Sequence, residues 1–353
     1  MAALRVLELG GYAAGYAGRH FVRAGFDVVR LDLAAPPPAW ASPQAMENFL
    51  HAGKRRVTLS EKPDAFLNTS VGALVAAADI VVCEASSAGE IEALGYHSWT
   101  DVVKVAITPY GLTGPKRDWA ATPSTILAEG GYTYLLGDPD RAPLSLPGHY
   151  LEFQSGTLAY AAALSGLYAA GSQSSDSTGI DIGMFETVMA LSQFTTVRWH
   201  CAGEIRSRHG SDFWFVAPSE LFPLADGWVY VNIVPAFWDP FVLFLDRPEL
   251  AADPRFDNND LRMENREALH ACVGEALKGM TQAEAEARAR QFRVPVGVVR
   301  TLEDVLDETH LQERQFWETV SIEGRELRLP GLVYRLNGEP RPALDGVEEY
   351  TDD

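Results

Sequence analysis

Residues 4–32, LRVLELGGYAAGYAGRHFVRAGFDVVRLD, decide the fold. The first six, LRVLEL, are a short and mostly apolar run that stops at Gly10-Gly11, which is how a strand enters a tight turn. A helical stretch follows from about residue 16 to residue 24, and FDVVRLDL at 26–33 reads as a second strand. Strand, glycine turn, helix and strand make a βαβ unit, the building block of a parallel, doubly wound sheet. The pattern continues outward. VGALVAAAD (71–79) reads as an apolar helix, IVVCEA (80–85) as a third strand and VVKVAIT (102–108) as a fourth. Val- and Ile-rich strands between helices predict an open α/β sheet with both faces covered. The Pro- and Ala-rich segment 34–43 is predicted to be extended or loop.

Further along, TLAYAAALSGLYAA (157–170) predicts a helix of small residues able to approach another backbone closely. Residues 172–178 form a polar loop, and GIDIGMFETVMALSQ (179–193) is a strand running into a helix. DGWVYVNI (226–233) alternates as a strand after an Asp-Gly turn, and the stretch from there to about residue 300 is helical and charged. The expected organisation is a Rossmann-like large α/β domain, 1–224 with 301–353 returning to it, and a smaller inserted α+β domain, 225–300.

Composition narrows the function. The chain has 353 residues, 48 acidic against 29 basic, and a formal net charge of −19. A surface this negative repels phosphate backbones and anionic lipid headgroups, so neither nucleic acid nor a membrane is an expected partner. No apolar run reaches the roughly 18 residues of a membrane span, and the first apolar stretch reads as a strand rather than a leader. A cytoplasmic protein is expected. Cys83, Cys201 and Cys272 lie far apart, with no Cys-x-x-Cys or Cys/His cluster, so they read as buried reduced thiols and no metal site is expected. Gly10, Gly11, Gly15 and Gly18 do not have the G-x-G-x-x-G spacing of a dinucleotide turn, although Asp32 stands about where a ribose contact would. They read as glycines for a tight turn and close helix packing.

Several stretches carry meaning only together. After the opening segment come GKRRVTLS (53–60), ITPYGLTGP (107–115), GGYTYLLGDPD (130–140), LEFQSGTLAYAAALSGLYAA (151–170) and GIDIGMFETVMAL (179–191). PLADGWVYVNI (223–233), LDRPELAADPRFDNNDLRMENREAL (245–269) and VPVGVVRTLEDVLDETHLQERQFW (294–317) follow. In order and spacing the set resembles the family III CoA-transferases, also called the CaiB/BaiF family. That family includes formyl-CoA and carnitine CoA-transferases and the α-methylacyl-CoA racemases. The resemblance covers nearly the whole chain. It implies a Rossmann-like large domain, a small inserted domain, and an intertwined dimer of two chains threaded like linked rings.

The resemblance also implies a chemistry centred on one carboxylate. In the transferases an Asp attacks the thioester carbonyl of an acyl-CoA, giving a mixed anhydride and free CoA thiolate, and exchange proceeds through an aspartyl thioester. The matching stretch here is Glu152-Phe153-Gln154-Ser155-Gly156, so Glu152 stands at the nucleophile's position. Glu has nearly the same basicity as Asp but is one methylene longer. A second departure concerns the CoA contacts: the family's basic and amide positions fall on Ala34, Ala85 and Ala93, and a further one near residues 119–121. Tyr16, Lys54, Arg55, Arg56, Lys116 and Arg117 remain as candidates to hold the cofactor. Nothing is expected to be bound permanently; a coenzyme A thioester would be a substrate. The racemase branch pairs a His with the Asp, and its His falls at Thr122-Pro123, where none is present. His149 is close to Glu152 in sequence, but nothing in the sequence brings it to that place. SRHGSDFWFVAP (207–218) takes the region of the transferases' Gly-rich loop, with Trp and Phe for glycines.

Three readings follow. The first is an acyl-CoA transferase that moves CoA between carboxylic acids through Glu152. The second is a non-catalytic subunit working beside a paralogue, and the third a repurposed enzyme on this fold that does not use CoA. In the third, the aromatic segment 213–216 and Trp238 would line an apolar pocket. Partners are accordingly a small acyl-CoA or carboxylic acid and a second chain, identical or paralogous.

Overall fold

The opening run forms β1 (Arg5–Leu9), and Val6, Leu7 and Leu9 are buried on opposite faces of one sheet. The structure is a computed structural model and describes residues 4–33, 44–59, 70–172, 178–322, 325–335, 337–338 and 348–350. The other strands are β2 (Asp27–Leu33), β3 (Arg55–Leu59), β4 (Ile80–Glu84), β5 (Val103–Thr108), β6 (Thr178–Gly183), β7 (Ser219–Pro223), β8 (Trp228–Asn232), β9 (Val296–Val298), β10 (Trp317–Ile322), β11 (Arg325–Pro330) and β12 (Glu348–Tyr350). The chain divides into two compact units. One holds Met1–Thr133, Ser145–Arg206 and Thr309–Asp353; the other holds Tyr134–Leu144 and Ser207–Glu308.

In the first unit seven strands pair in the order β12-β3-β2-β1-β4-β5-β6, every neighbouring pair parallel. Six of them follow the doubly wound order 3-2-1-4-5-6, and the direction of winding reverses between β1 and β4. Helices α1 (Tyr12–Ala24), α2 (Gln44–His51), α3 (Ser70–Ala76), α4 (Ala88–Ala93), α5 (Pro123–Glu129), α6 (Tyr150–Ser172), α7 (Met184–Leu191) and α8 (Gln193–Ala202) accompany the sheet. Ala13, Ala14, Ala17 and Phe21 of α1 share a core with Ala159 and Ala163 of α6 and with Val6, Val82, Val105 and Ile107 of the sheet. Leu7, Leu31, Val81, Cys83 and Ile91 belong to a second core of this unit.

Several expected boundaries move. The helix after Gly10-Gly11 begins at Tyr12, four residues before the expected start, because the backbone N–H of Ala14 is accepted by the Glu84 carboxylate. The helix expected at 157–170 spans Tyr150–Ser172, so the EFQSG stretch is helical too. Residues 44–59 supply α2 and β3, elements that the mixed, charged sequence there did not announce. Segment 34–43 lies outside the described residues, as does most of the loop read at 172–178. Of the three cysteines only Cys83 is buried; Cys201 is exposed near the end of α8 and Cys272 is partly exposed.

The second unit has its own core. β7, β8 and β9 form an antiparallel sheet in that order, and Phe222, Val229, Val231, Phe241, Phe244, Phe256, Leu269 and Val273 pack together on it. Trp238 belongs to this core, beneath the Arg262 guanidinium at 4.5 Å, and not to a pocket. No helix among the described residues is long and apolar enough to cross a membrane.

Candidate active site

Doubly wound sheets bind their ligands outside the carboxyl ends of the strands where the winding reverses. Here those ends are Leu9 of β1 and Glu84 of β4. Gly10 takes φ +115°, and a Cβ on it would lie 2.4 Å from the Glu84 carbonyl oxygen. A Cβ on Gly11 would lie 2.9 Å from Glu84 Oε1. The glycine pair thus makes room for the Glu84 side chain at the start of α1. That helix has no acid of its own in its first turn, and Glu84 takes the place of one, accepting the Ala14 N–H at 2.9 Å. Burial pushes the Glu84 carboxyl up to about 7; the Ala14 and Ala13 N–H groups and Arg30 pull it down, and the charge of Glu152 pushes it up.

Glu152 occupies the first turn of α6 and is 8% exposed. Its Oε1 accepts from His149 Nδ1 at 3.0 Å, while its buried Oε2 has no hydrogen-bond partner among the described residues. His149 immediately precedes α6, and the edge-on ring of Tyr12 lies 4.3 Å from its imidazole. The ring of Phe153 stacks on Tyr16 at 4.4 Å with an interplanar angle of 11°. Gly156 fixes the approach of the two helices: a Cβ there would lie 2.4 Å from the Ala13 carbonyl oxygen. The small residues of EFQSG therefore bring the start of α6, with Glu152, against the start of α1, where Glu84 is held.

The expected cofactor residues fall in three places. Tyr16 is beside Glu152, stacked on Phe153 and edge-on to His20. Lys54 is wholly buried, its Nζ 2.5 Å from Glu8 Oε2, 2.8 Å from the Gly15 carbonyl oxygen and 3.2 Å from His51 Nδ1. Burial pulls the Lys54 ammonium down to about 8 against the pull of Glu8. Arg55 pairs with Asp27 at 2.5 Å, and Arg56 with Asp32 and Glu47, both at 2.8 Å. Lys116 pairs with Glu129 at 2.7 Å and lies 5.0 Å over the Trp119 ring; Arg117 pairs with Glu92 at 2.6 Å. Every basic candidate already has an acidic neighbour. Ala34 is outside the described residues; Ala85 is partly buried and Ala93 is exposed at the end of α4. Thr122-Pro123 starts α5, where Thr122 caps the helix through Thr125.

Sequence reasoning missed two residues of this arrangement. His149 reaches Glu152 because three residues at a helix start make nearly one turn, a spacing readable once α6 is known to begin at Tyr150. Glu84 arrives through strand pairing between β1 and β4, which no local pattern reveals. No group of three or more His, Cys, Asp or Glu suited to a metal ion occurs among the described residues.

Comparison with known proteins assigns the fold and the sequence together. The sequence pattern of CoA-transferase family III matches residues 1–346. The chain belongs to that family. It is 27% identical to a succinyl-CoA–D-citramalate CoA-transferase of Chloroflexus aurantiacus, over 96% of this chain and 88% of that one. It is 25% identical to the alpha subunit of a succinyl-CoA–L-malate CoA-transferase from the same organism, over 96% and 83% of the two chains. Among solved structures it resembles a CaiB/BaiF family protein from Brucella suis, with a TM-score of 0.80 and 23% identity over 99% of this chain and 95% of that one.

Proposed function

We propose that this protein is an acyl-CoA transferase that moves CoA between carboxylic acids through a covalent intermediate on Glu152. One observation carries the reading: Glu152 Oε1 is held by His149 while the buried Oε2 is left without a partner. A carboxylate anchored by one oxygen at a helix N-terminus, with the other unengaged, is a nucleophile aimed in one direction. Oε2 attacks the thioester carbon, the carbon–sulfur bond breaks, and CoA leaves as thiolate with a mixed anhydride on Glu152. The thiolate attacks the Glu152 carbonyl, releasing the donor acid and forming a glutamyl thioester. The acceptor carboxylate attacks that thioester and expels the thiolate again. The thiolate then takes the new acyl group and restores the Glu152 carboxylate. No net proton is consumed.

Succinyl-CoA and succinate are suitable probes, since the relatives named above are succinyl-CoA transferases. Incubation with succinyl-CoA should add the mass of CoA at Glu152, and hydroxylamine should remove it. Glu152→Gln should show neither the adduct nor exchange of labelled succinate. Exchange that persists in Glu152→Gln, or wild-type exchange without an adduct at this residue, overturns the reading.

A second reading, the partner subunit of a heteromer, is favoured by the acidic pairing of Lys54, Arg55, Arg56, Lys116 and Arg117 and by the alpha-subunit relative. A specific ligand raises Tm by mass action, so a shift with millimolar CoA supports the transferase, and no shift supports the subunit or an enzyme that does not use CoA. An intertwined pair of chains belongs to both readings. The exposed Tyr168, Val197, Trp199 and Ile205 give a second chain apolar surface to cover.

A further inference from the structure

We propose that Glu84 is a positioning residue of the Glu152 site, clamping the first turn of α1 across the ends of β1 and β4 and setting the charge that meets an incoming carboxylate. The proposal rests on the reading of Glu152 as the reacting group.

Three observations converge on it. The first is placement: Glu84 ends β4 at the reversal of the sheet, where such folds hold their ligands. The second is a built seat. Gly10 and Gly11 leave no space for a Cβ on the Glu84 side of the turn, and the Ala14 N–H is donated to Glu84 Oε2 at 2.9 Å. The third is electrostatic contact with Glu152. Two carboxyl groups share the N-terminal turns of α1 and α6, and the charge of Glu152 makes ionisation of Glu84 harder. The charged groups that act on Glu84 are Glu152 from α6 and Arg30 from β2; α1 contributes N–H groups and no acid to its own first turn. Arg30 is itself shared among Glu8, Asp32 and the Gly10 carbonyl oxygen.

This arrangement has a consequence for a reaction between carboxylic acids. When Glu84 carries a proton, an acceptor carboxylate that approaches the glutamyl thioester meets no carboxylate from the end of β4. When Glu84 loses the proton, the acceptor meets one. Its binding then weakens while the chemistry at Glu152 is unchanged, so KM for the acid rises with pH and kcat does not.

Infrared titration of the whole protein tests this without any substrate. Wild type should show a protonated carboxyl band at about pH 6 that is gone by about pH 8. Glu84→Gln should lack that band, and Glu152→Gln should move its midpoint down by several tenths of a pH unit or more. A missing wild-type band, or an identical midpoint in Glu152→Gln, overturns the coupling. Exchange between succinyl-CoA and labelled succinate is the second readout. KM for succinate should rise several-fold over that pH interval in wild type and stay within about twofold in Glu84→Gln. The two proposals fail separately. A glutamyl adduct that forms while KM for succinate keeps the same pH profile in wild type and Glu84→Gln removes the role of Glu84 and leaves Glu152 as nucleophile. A midpoint shift with no adduct removes the transfer mechanism and leaves the carboxyl pair. If Glu84→Gln fails to fold, the shift in Glu152→Gln decides by itself.

Discussion

Two acidic side chains meet helix α1 from the sheet, and they are treated in opposite ways. Glu8, from β1, is fully buried and surrounded by cations: Lys54 Nζ at 2.5 Å and Arg30 Nη1 at 2.8 Å. A Cβ on Gly18 would lie 1.7 Å from its carboxylate, so the helix is shaped around the pair. Glu84, from β4, receives backbone N–H groups and has a second acid, Glu152, as an electrostatic neighbour. A buried charge matched by countercharges is scaffold, because its interactions are complete. Glu84 is seated, among the described residues, without a salt-bridge partner and near a like charge, so the scaffold does not neutralise it in the way it neutralises Glu8. The comparison therefore separates what holds α1 in place from what α1 presents.

Removing the Lys54 ammonium breaks the comparison most severely. Lys54→Met leaves Glu8 buried with Arg30 as its remaining cationic partner at hydrogen-bond distance, and stability should fall by about 3–5 kcal/mol. Urea denaturation measures this directly. A loss under about 1 kcal/mol would show that the Glu8 side of α1 is no scaffold. The same variant still able to form the Glu152 adduct at low temperature would place Lys54 outside the cofactor contacts.

The pH dependence of stability sharpens it next. Burial lowers the His20 imidazole from 6.5 to about 4, in a pocket between Tyr16 and Tyr160. Between those values the unfolded chain binds the proton and the folded chain does not. Stability thus falls as pH drops from 6.5 to 4, by roughly 3 kcal/mol at most. Glu84 acts oppositely: its value is raised from 4.5 to about 7, so its contribution is lost as pH rises through that range. Subtracting the stability curve of His20→Gln from that of wild type isolates the first effect. A difference that is flat with pH would mean that His20 titrates normally in the folded chain.

Much of this architecture was legible because strands and turns are local. LRVLEL, FDVVRLDL, IVVCEA and VVKVAIT form β1, β2, β4 and β5 as their apolar runs imply. The resemblance put Glu152 at the position of the family's Asp, and the small residues after it implied a close helix contact, which Gly156 makes with Ala13. Other features depend on pairs distant in sequence. Lys54 lies in a charged stretch, GKRR, whose side chains read as candidate cofactor contacts, yet its ammonium is buried, with Glu8 and the Gly15 carbonyl oxygen around it. α2 and β3 were hidden because β3 carries Arg55 and Arg56, whose charges are met by Asp27, Asp32 and Glu47 rather than by water. Glu84 could not be assigned from IVVCEA, since its role comes from Gly10 and Ala14, more than sixty residues earlier.

The smallest effect tests how finely the uncompensated side is arranged. His149 donates from Nδ1 to Glu152 Oε1 at 3.0 Å and is a third exposed, so its bond contributes little to stability. Its value lies in direction. With the bond in place the carboxylate has one orientation, and Oε2 is the oxygen without a hydrogen-bond partner among the described residues. His149→Ala frees rotation of the carboxylate and leaves the helix start solvated. Stability should change by less than about 1 kcal/mol, while formation of the glutamyl adduct slows by about 10- to 100-fold, the usual cost of a misaligned reacting group. Single-turnover mass measurement with saturating succinyl-CoA separates this from weaker binding, because a positioning loss persists at saturation. His149→Asn can still donate one hydrogen bond and should recover part of the rate. An adduct that forms at the wild-type rate in His149→Ala would mean that Oε2 is aimed by the fold of α6 alone.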